Sequence, residues 1–364
     1  MCAPPAAGRK PAGGTETHMQ PHFFLRRKRH PLYMLASAFV VCGLLGTQST
    51  RAADELEITP PAQPVIVKAG YYLVDINAME EASETFEADF YFSFRWSDPR
   101  LAFEGTARKR YMEERAAEKL GEIWWPQIEF VNTSEARTTN QILEIQPDGS
   151  VQYIMGVSAK YREQFDLRRF PFDRQELNVQ IQSFAFDKSE VLFQPDTEYS
   201  GFSPKAALEG VRVTAVFPSV GQTEIHGWNT TFSEFNVHIL IERISQFYLW
   251  TIFVPVTLVF LMSCSIFLIP IDSLQDRVGI CLSAILACIA TQFAMSFNLP
   301  QISYLTRIDS FFATTYCLVA LQVITSAVQR RLVRTHPGAV KWIDRGAIAV
   351  FPLLFLAAAI YQAL

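Results

Sequence analysis

The chain has 364 residues, a formal net charge of −4, 49% hydrophobic residues and only 19% charged residues. The negative charge excludes a role that rests on a basic surface, so no nucleic-acid partner is expected. The charged fraction lies below the roughly 25% of ordinary soluble domains. This composition disfavours disorder and a purely soluble enzyme, and it indicates a chain that faces water in one part and lipid in another.

The N-terminus has the layout of a secretory signal peptide. A basic patch from Arg26 to His30 precedes an apolar run of about 15 residues, and small and polar residues follow it. Cleavage after Ala52 would place Thr50 and Ala52 at the small-residue positions. The run is short for a membrane span, and a retained anchor helix is the alternative interpretation. Residues 1–53 are therefore predicted to be a signal peptide with an N-terminal extension, which exports the segment that follows.

Residues 54–245 are predicted to form an all-β sandwich that faces water. Residues 86–96 alternate apolar and polar side chains, as a half-buried strand does. The Asp148-Gly149 pair lies between two further alternating segments and is typical of a tight hairpin turn. Many short strands separated by regular turns favour a sandwich.

Three local expectations complete the prediction for this half. A helical patch is expected near residues 109–120. The last strand pair, residues 211–217 and 232–241, is expected to flank a loop. No cysteine lies between Cys42 and Cys264, so no disulfide is expected in the exported half.

No catalytic constellation is recognisable in the sequence. It contains no G-x-S-x-G, H-E-x-x-H, C-x-x-C, P-loop or G-x-G-x-x-G pattern. His226 and His238 are isolated, and a lone histidine is typically structural or exposed. The protein is therefore predicted not to be an enzyme, and no metal or cofactor is expected.

Residues 246–364 are predicted to be a transmembrane domain. Four apolar runs lie at about residues 247–269, 278–297, 310–328 and 347–364. Each is long enough, at about 1.5 Å per residue, to cross a hydrocarbon core about 30 Å thick. The sequence therefore predicts four transmembrane helices in contact with membrane lipid.

Export and charge fix the predicted orientation. Export of the sandwich places the start of the first helix outside. The segment between the third and fourth runs is predicted to be a linker of about 17 residues on the cytoplasmic side, because basic residues favour that side. Its basic residues are Arg330, Arg331, Arg334, Lys341 and Arg345. A multi-pass protein of the cell (inner) membrane is predicted, with its N-terminal domain in the periplasm or outside the cell.

The second apolar run carries polar groups. They are Ser283, Thr291, Gln292 and Ser296, with Asp276 and Arg277 at the cytoplasmic entrance. Polar groups in a span usually face a bundle interior or water. Four helices of one chain cannot enclose a wide aqueous path, whereas a ring of identical chains can, with one helix from each chain.

Four local motifs resemble those of the pentameric ligand-gated ion channels, the Cys-loop receptor superfamily. They are WSDPRLAF at 96–103, WWPQIEFVN at 124–132, FDLRRFPFDRQ at 165–175 and NLP at 298–300. The resemblance covers about residues 60–364. The third motif is similar to the signature loop of the family, but its flanking cysteines are absent, as in the bacterial members.

The resemblance implies an extracellular immunoglobulin-like sandwich followed by a four-helix transmembrane bundle, assembled as a homopentameric ring. The implied function is a ligand-gated, cation-selective ion channel that passes monovalent cations. A small-molecule agonist or protons, bound at extracellular subunit interfaces, would open a pore lined by the second transmembrane helix. An anion-selective channel and a non-conducting membrane-anchored sensor are the alternatives.

The family register also implies which face of the second helix lines the pore. The implied pore-lining residues are Asp276, Gly279, Ser283, Leu286, Ala290 and Phe293. Spacing alone does not choose this stripe, because a rival face with Cys281, Cys288, Gln292 and Ser296 is about as polar. Bulky apolar residues in the outer part would form a constriction that dewets, and five Asp276 carboxylates would attract cations.

The agonist site of the family lies between neighbouring sandwiches and is lined by aromatic side chains, whose faces attract cations. The corresponding candidates are Tyr91 from the adjoining subunit, Phe130, Asn132, Gln182, Phe184, Phe217, Trp228 and Phe232. Bacterial amine-gated relatives have an acid where Gln182 stands, so a primary-amine agonist is not supported at that position.

Proton gating is the rival trigger. Glu84 falls where the proton-gated bacterial members have their proposed proton-sensing glutamate, but Cys288 replaces their pore-helix histidine. A proton-sensing role would require the acidic neighbours Glu80 and Glu81 to raise the pKa of Glu84, and a solvated acidic loop is the alternative interpretation.

Coupling between the sandwich and the membrane helices is expected from a charge triad that matches the family. Its members are Glu81, Asp173 and Arg243, with Pro300 in the turn beneath them. An ion network at this junction would act as a switch if it differs between closed and open states.

Overall fold

The computed structural model of the chain describes residues 59–225, 227, 230–297 and 302–363. The predicted signal peptide and two of the predicted site residues, Trp228 and Pro300, lie outside these described residues.

The first part of the described chain consists of short strands in two sheets. The strands are β1 (Val65–Glu80), β2 (Thr85–Ser97), β3 (Lys109–Met112), β4 (Ile128–Phe130), β5 (Thr133–Ile145), β6 (Ser150–Arg162), β7 (Arg174–Ser183), β8 (Val191–Pro195), β9 (Gly201–Phe202), β10 (Val211–Ile225) and β11 (Thr230–Arg243). One sheet has the order β3-β5-β6-β2-β1-β8, with β9 beside β1, and the other has the order β10-β11-β7-β4. The predicted β-sandwich is confirmed.

Alternation of side chains along the strands creates the core between the sheets. Phe90, Phe92 and Phe94 of β2 are buried, whereas Tyr91 between them is exposed. The second sheet presents a matching row from β11, which includes the buried residue Val237. Burial of one such large apolar side chain contributes about 1.5–3 kcal/mol, so these rows hold the two sheets together.

The predicted hairpin turn at Asp148-Gly149 joins β5 and β6. Gly149 has a φ of 85°, and a Cβ atom at this position would lie 2.5 Å from the carbonyl oxygen of Asp98. Only glycine meets both conditions without strain.

The helical patch predicted near residues 109–120 is only partly correct. Its first residues form β3, in which Tyr111 pairs with Leu143 of β5. A helix, α1 (Glu114–Glu122), follows, and it buries Ala116 and Leu120 on one face. Local propensity did not reveal that the edge of the first sheet recruits the start of this segment.

The loop predicted between residues 217 and 232 is also wrong, because most of it is strand. The β10–β11 ladder continues without interruption from Ala215 opposite Leu240 to Ile225 opposite Thr230. None of residues 217–224 of β10 is buried, so this strand has no apolar stripe to mark it, although Phe232 and Ser233 of the neighbouring β11 are buried.

Four apolar helices follow the sandwich. They are α2 (Gln246–Leu268), α3 (Leu274–Ser296), α4 (Arg307–Leu332) and α5 (Pro337–Ala363). Each is long and apolar enough to cross a membrane. The start of α4 is fixed by a capping box, in which Thr306 accepts from the backbone of Asp309 and the Asp309 carboxylate accepts from the backbone of Thr306.

The length predicted for the linker between the third and fourth helices, about 17 residues, is wrong. Only residues 333–336 separate α4 from α5, because α5 begins at Pro337 and its first three turns include Lys341 and Arg345. Proline is favourable in the first turn of a helix, and lysine and arginine are good helix formers, so the basic segment extends the helix instead of interrupting it.

Candidate functional site

The predicted charge triad is assembled at the junction of sandwich and helices. The Arg243 guanidinium at the end of β11 lies 2.9 Å from an Asp173 oxygen and 2.7 Å from a Glu81 oxygen. Gln175 donates a further hydrogen bond to Asp173. Burial opposes the charge of Arg243, but the bond to Asp173 and the two carboxylates outweigh it, so the pKa of Arg243 is raised and the guanidinium stays charged.

The loop between β6 and β7, which includes Asp173 of the triad, contacts the membrane helices. The ring of Phe170 packs edge-on against Tyr248 of α2, and Phe172 packs against Phe253 one turn further along. The hydroxyl of Tyr304, just before α4, accepts a hydrogen bond from the backbone N–H of Leu167 at 3.1 Å. The loop is therefore in direct contact with the first membrane helix and with the residue segment that leads into the third.

The six predicted pore-lining residues share one exposed face of α3. Leu286 is 68% exposed and Phe293 is 64% exposed, and the other members of the stripe are exposed as well. The stripe begins at Asp276 near the N-terminus of the helix and ends with aromatic bulk at Phe293. The helix thus has a polar, small-residue end and a bulky apolar end on the same face.

Most of the rival face of α3 packs into the bundle of its own subunit instead, but Ser296 at its end is exposed. Cys281 and Cys288 are buried, and the side chain of Gln292 accepts a hydrogen bond from the hydroxyl of Tyr316 on α4 at 2.8 Å. The two cysteines fill space between helices in the way of small apolar residues.

Arg277, next to the predicted charge ring, points into the bundle. Its side chain is 1% exposed, and its guanidinium donates to the Ile269 carbonyl oxygen, to Gln329 of α4 at 2.8 Å and to Asp344 of α5 at 3.2 Å. Adjacent residues of a helix point about 100° apart, so Asp276 can be exposed while Arg277 is not. The two neighbouring charges therefore face different surroundings.

The predicted ligand-site aromatics have unequal access to solvent. Phe184, after the end of β7, is 70% exposed. Phe130 of β4 is half-buried against Phe92 of the core. Tyr91 lies on the other sheet, where its hydroxyl accepts a hydrogen bond from Asn140, so a single subunit does not bring it to Phe184.

Two of the predicted ligand-site aromatics pack against residues of their own subunit. Phe232 is 6% exposed, so its ring is in the interior. Phe217 stands opposite His238 and stacks on that imidazole, with the ring centroids 5.0 Å apart. His238 in turn pairs with Asn178, four residues before Gln182 on β7, so Phe217 lies about 13 Å along the sheet from the Gln182 region.

Two polar members of the predicted ligand site have partners within the sandwich. The Asn132 side chain donates to the carbonyl oxygens of Arg162 and Asn178 and accepts from the backbone of Gln180. The Asn132 amide therefore holds strand ends together and is not free for a ligand. Gln182 remains at the surface of the sheet, where it donates to Glu129.

The acidic neighbours of Glu84 have partners of their own. Glu81 is bound to Arg243. Glu80 accepts hydrogen bonds from Ser83 and Lys160, and these bonds lower the pKa of Glu80. The carboxylates of Glu80 and Glu81 are each paired with a basic side chain, and the proton-sensing role of Glu84 stays a prediction. Glu84 itself is exposed in a left-handed turn with a φ of 54°.

Sequence reasoning missed Glu163, a half-buried carboxylate beside this turn. The backbone N–H of Glu163 donates to the carbonyl oxygen of Glu84 at 2.9 Å. Its carboxylate accepts from the backbone of Asn178 and of Gln164. Burial raises the pKa of Glu163, and the two backbone hydrogen bonds oppose this shift without cancelling it. No pattern in the sequence marks this residue, since its environment comes from a strand that follows later in the chain.

His238, isolated in sequence, has partners on both neighbouring strands. Its Nδ1 lies 2.7 Å from a Glu176 carboxylate oxygen of β7, and its Nε2 lies 2.7 Å from the hydroxyl of Ser219 on β10. Glu163 lies close enough for its own pKa to depend on the charges of Glu176 and His238. Three titratable groups from separate segments therefore meet on the outer face of the second sheet.

Comparison with known proteins agrees with this architecture. The family model described as "Neurotransmitter-gated ion-channel ligand binding domain" matches residues 55–244. A proton-gated ion channel of Gloeobacter violaceus is 28% identical over 339 residues, which cover 91% of this chain and 92% of that protein. The gamma-aminobutyric acid receptor subunit beta-4 of Gallus gallus is 22% identical over 269 residues, 72% of this chain and 54% of the receptor subunit.

A second receptor subunit is matched over a smaller share of its length. The gamma-aminobutyric acid receptor subunit theta of Mus musculus is 24% identical over 266 residues, 72% of this chain and 41% of that subunit. The chain thus spans about half the length, or less, of these animal receptors, whereas it spans nearly all of the bacterial channel.

A strand-rich receptor domain joined to four apolar helices defines a membrane receptor channel. The chain belongs to the neurotransmitter-gated ion channel family, the pentameric ligand-gated ion channels of the Cys-loop superfamily. It is a multi-pass membrane protein with an extracellular N-terminal domain. Membership also confirms that the protein is not an enzyme.

Proposed function

We propose that this protein is a homopentameric, cation-selective channel that protons open, with α3 of each subunit lining the pore. The observation that carries the proposal is the division of α3 into two faces. One face, from Asp276 to Phe293, is exposed in the subunit, and the opposite face is packed against α2 and α4. A helix that lines a shared lumen needs this division.

The apolar end of the stripe is the proposed barrier to ions. Five copies of Leu286 and Phe293, with Ala290 between them, would narrow the lumen and exclude water when the helices stand close together. Small outward tilts would let water return, because dewetting depends steeply on pore radius.

The polar end is the proposed selectivity region. Five Asp276 carboxylates around the cytoplasmic mouth would concentrate cations and repel anions. Arg277 is buried and bound to Asp344, so it does not cancel that ring. This arrangement favours cations over the alternative of an anion-selective channel.

Asp276→Ala tests the selectivity proposal. The substitution removes five negative charges from the mouth, and we expect the cation-over-anion permeability ratio to fall by about tenfold or more. The measurement is the reversal potential under a salt gradient. Asp272→Ala is the matched control, because the Asp272 side chain is 85% exposed and forms an ion pair with Arg330 of α4. Equal reversal potentials for the Asp276→Ala and unmodified channels would contradict the proposal.

The proposal that protons are the trigger rests on the similarity to a proton-gated bacterial channel and on the carboxylates of Glu84 and Glu163. The bacterial channel matched along nearly its whole length is proton-gated. Glu84 occupies the turn before β2, and Glu163 is bound to that turn and has a raised pKa. A small-molecule agonist at Tyr91, Phe130, Gln182 and Phe184 is the alternative trigger, favoured by the exposed ring of Phe184.

Glu163→Gln tests the contribution of the buried carboxyl. A raised pKa means that neutral Glu163 stabilises the fold at acid pH, and this contribution is lost as the pH rises through the folded-state pKa. Glutamine imitates the neutral form at every pH, so we expect half-activation to move toward neutral pH by roughly half a pH unit. The measurement is peak current against pH, with Glu118→Gln on exposed α1 as control.

The decisive experiment for the function is current recording from liposomes or oocytes during pH steps. Current on acidification alone supports proton gating. Current only on addition of a small molecule transfers the trigger to the aromatic site, and no current under either condition supports the non-conducting sensor.

A further inference from the structure

The structure assigns Asp344 of α5 as a positioning residue for ion selectivity: it holds Arg277 out of the pore mouth, so that the Asp276 ring acts alone. This inference rests on the proposed function, in which α3 lines the pore. It concerns a residue on the last helix that has no place in the proposed lumen.

The contacts of Arg277 tie the cytoplasmic ends of the four membrane helices together. The guanidinium donates to the Ile269 carbonyl oxygen after α2, to Gln329 of α4 and to Asp344 of α5. Gln329 also donates to Asp344 at 3.1 Å, which fixes the position of the acceptor. Arg277 and Gln329 are fully buried and Asp344 is largely buried.

Asp344 supplies the negative charge of this cluster. Gln329 and the Ile269 carbonyl are neutral, so without Asp344 the guanidinium would have dipoles around it and no counter-charge. An arginine cannot escape by losing its proton. A buried charge left without its partner is strongly unfavourable, so the side chain would move to water or to another anion.

The surrounding charges make Asp276 the acceptor that Arg277 would then reach. Asp272 is already paired with Arg330 at 2.6 Å. The basic residues Lys341 and Arg345 of α5 are exposed, and they would repel the guanidinium from the outer surface. Asp276 is the residue directly before Arg277 in α3. A long arginine side chain can extend from a buried stem to a solvent-exposed surface. The displaced cation would thus enter the mouth and neutralise the ring.

The test is the reversal potential of Asp344→Asn channels under a salt gradient. We expect the cation-over-anion permeability ratio to fall at least halfway, on a logarithmic scale, to that of Asp276→Ala channels. Adding Arg277→Gln to Asp344→Asn removes the displaced cation, and we expect this double variant to regain the unmodified ratio. Asp272→Asn is the control with the same chemical change at the same end of the bundle, and it should leave the ratio unchanged.

Each outcome decides the question. An unmodified ratio in Asp344→Asn channels, or a low ratio that Arg277→Gln does not restore, overturns the inference. If Asp344→Asn fails to reach the membrane, the double variant has no unpaired buried charge and is measured alone, and loss of its cation preference overturns the inference. If Asp276→Ala leaves the ratio unchanged, the proposed function fails first, which separates the two failures.

Discussion

Asp173→Asn is expected to abolish current without preventing assembly. The carboxylate of Asp173 is buried and is one of the two counter-charges of Arg243. Removal of one partner from a buried ion pair costs about 3–5 kcal/mol. If the triad differs between closed and open states, about 3 kcal/mol displaces the gating equilibrium by roughly a hundredfold. The measurement is peak acid-evoked current, normalised to the amount of pentamer at the cell surface.

Asp166→Asn is the matched control for this change. Asp166 lies in the same loop between β6 and β7, but its side chain is largely exposed. It forms a long ion pair of 3.8 Å with Arg168, which is also exposed. Exposed pairs contribute about 0–1 kcal/mol, so gating should be almost unchanged. Normal current from Asp173→Asn channels would show that the triad is a static brace and not part of the switch.

Leu286→Ser is expected to make the channel conduct at rest. Leu286 is the bulky apolar residue in the middle of the exposed face of α3, and the proposed closed pore is dry because such side chains meet there. Loss of the isobutyl group weakens the apolar contact by about 1 kcal/mol or more per subunit, and five subunits change together. Several kcal/mol correspond to a resting current at neutral pH at least about tenfold larger.

Leu282→Ser makes the same chemical change one turn earlier and outside the predicted stripe. Leu282 is also exposed in the subunit, so a general effect of serine on α3 would appear in both variants. A leak of the same size from both variants, or from neither, would assign the barrier to another part of the pore. The measurement is the steady current before acidification, compared with the same current in channels of the unmodified sequence.

The amino-acid sequence alone was enough to predict the β-sandwich and the four apolar helices. Alternation in β2 predicts a strand with one buried face, and the length of the apolar runs predicts four spans, because both signals come from residues close together in the chain. The motifs between Trp96 and Gln175 carry the family, which the comparisons confirm. The triad of Glu81, Asp173 and Arg243 was also predictable, but only through that resemblance.

Which charged groups are unpaired and which aromatic rings are exposed follows from the tertiary structure. Phe232 is buried by the sheet it joins, and the pKa of Glu80 is lowered by Ser83 and by Lys160 from another strand. Glu163 and Asp344 gain their hydrogen-bond and ion-pair partners from residues far away in the sequence. Exposure and pairing are sums over neighbours that the fold brings together, whereas a local pattern records only what one segment prefers.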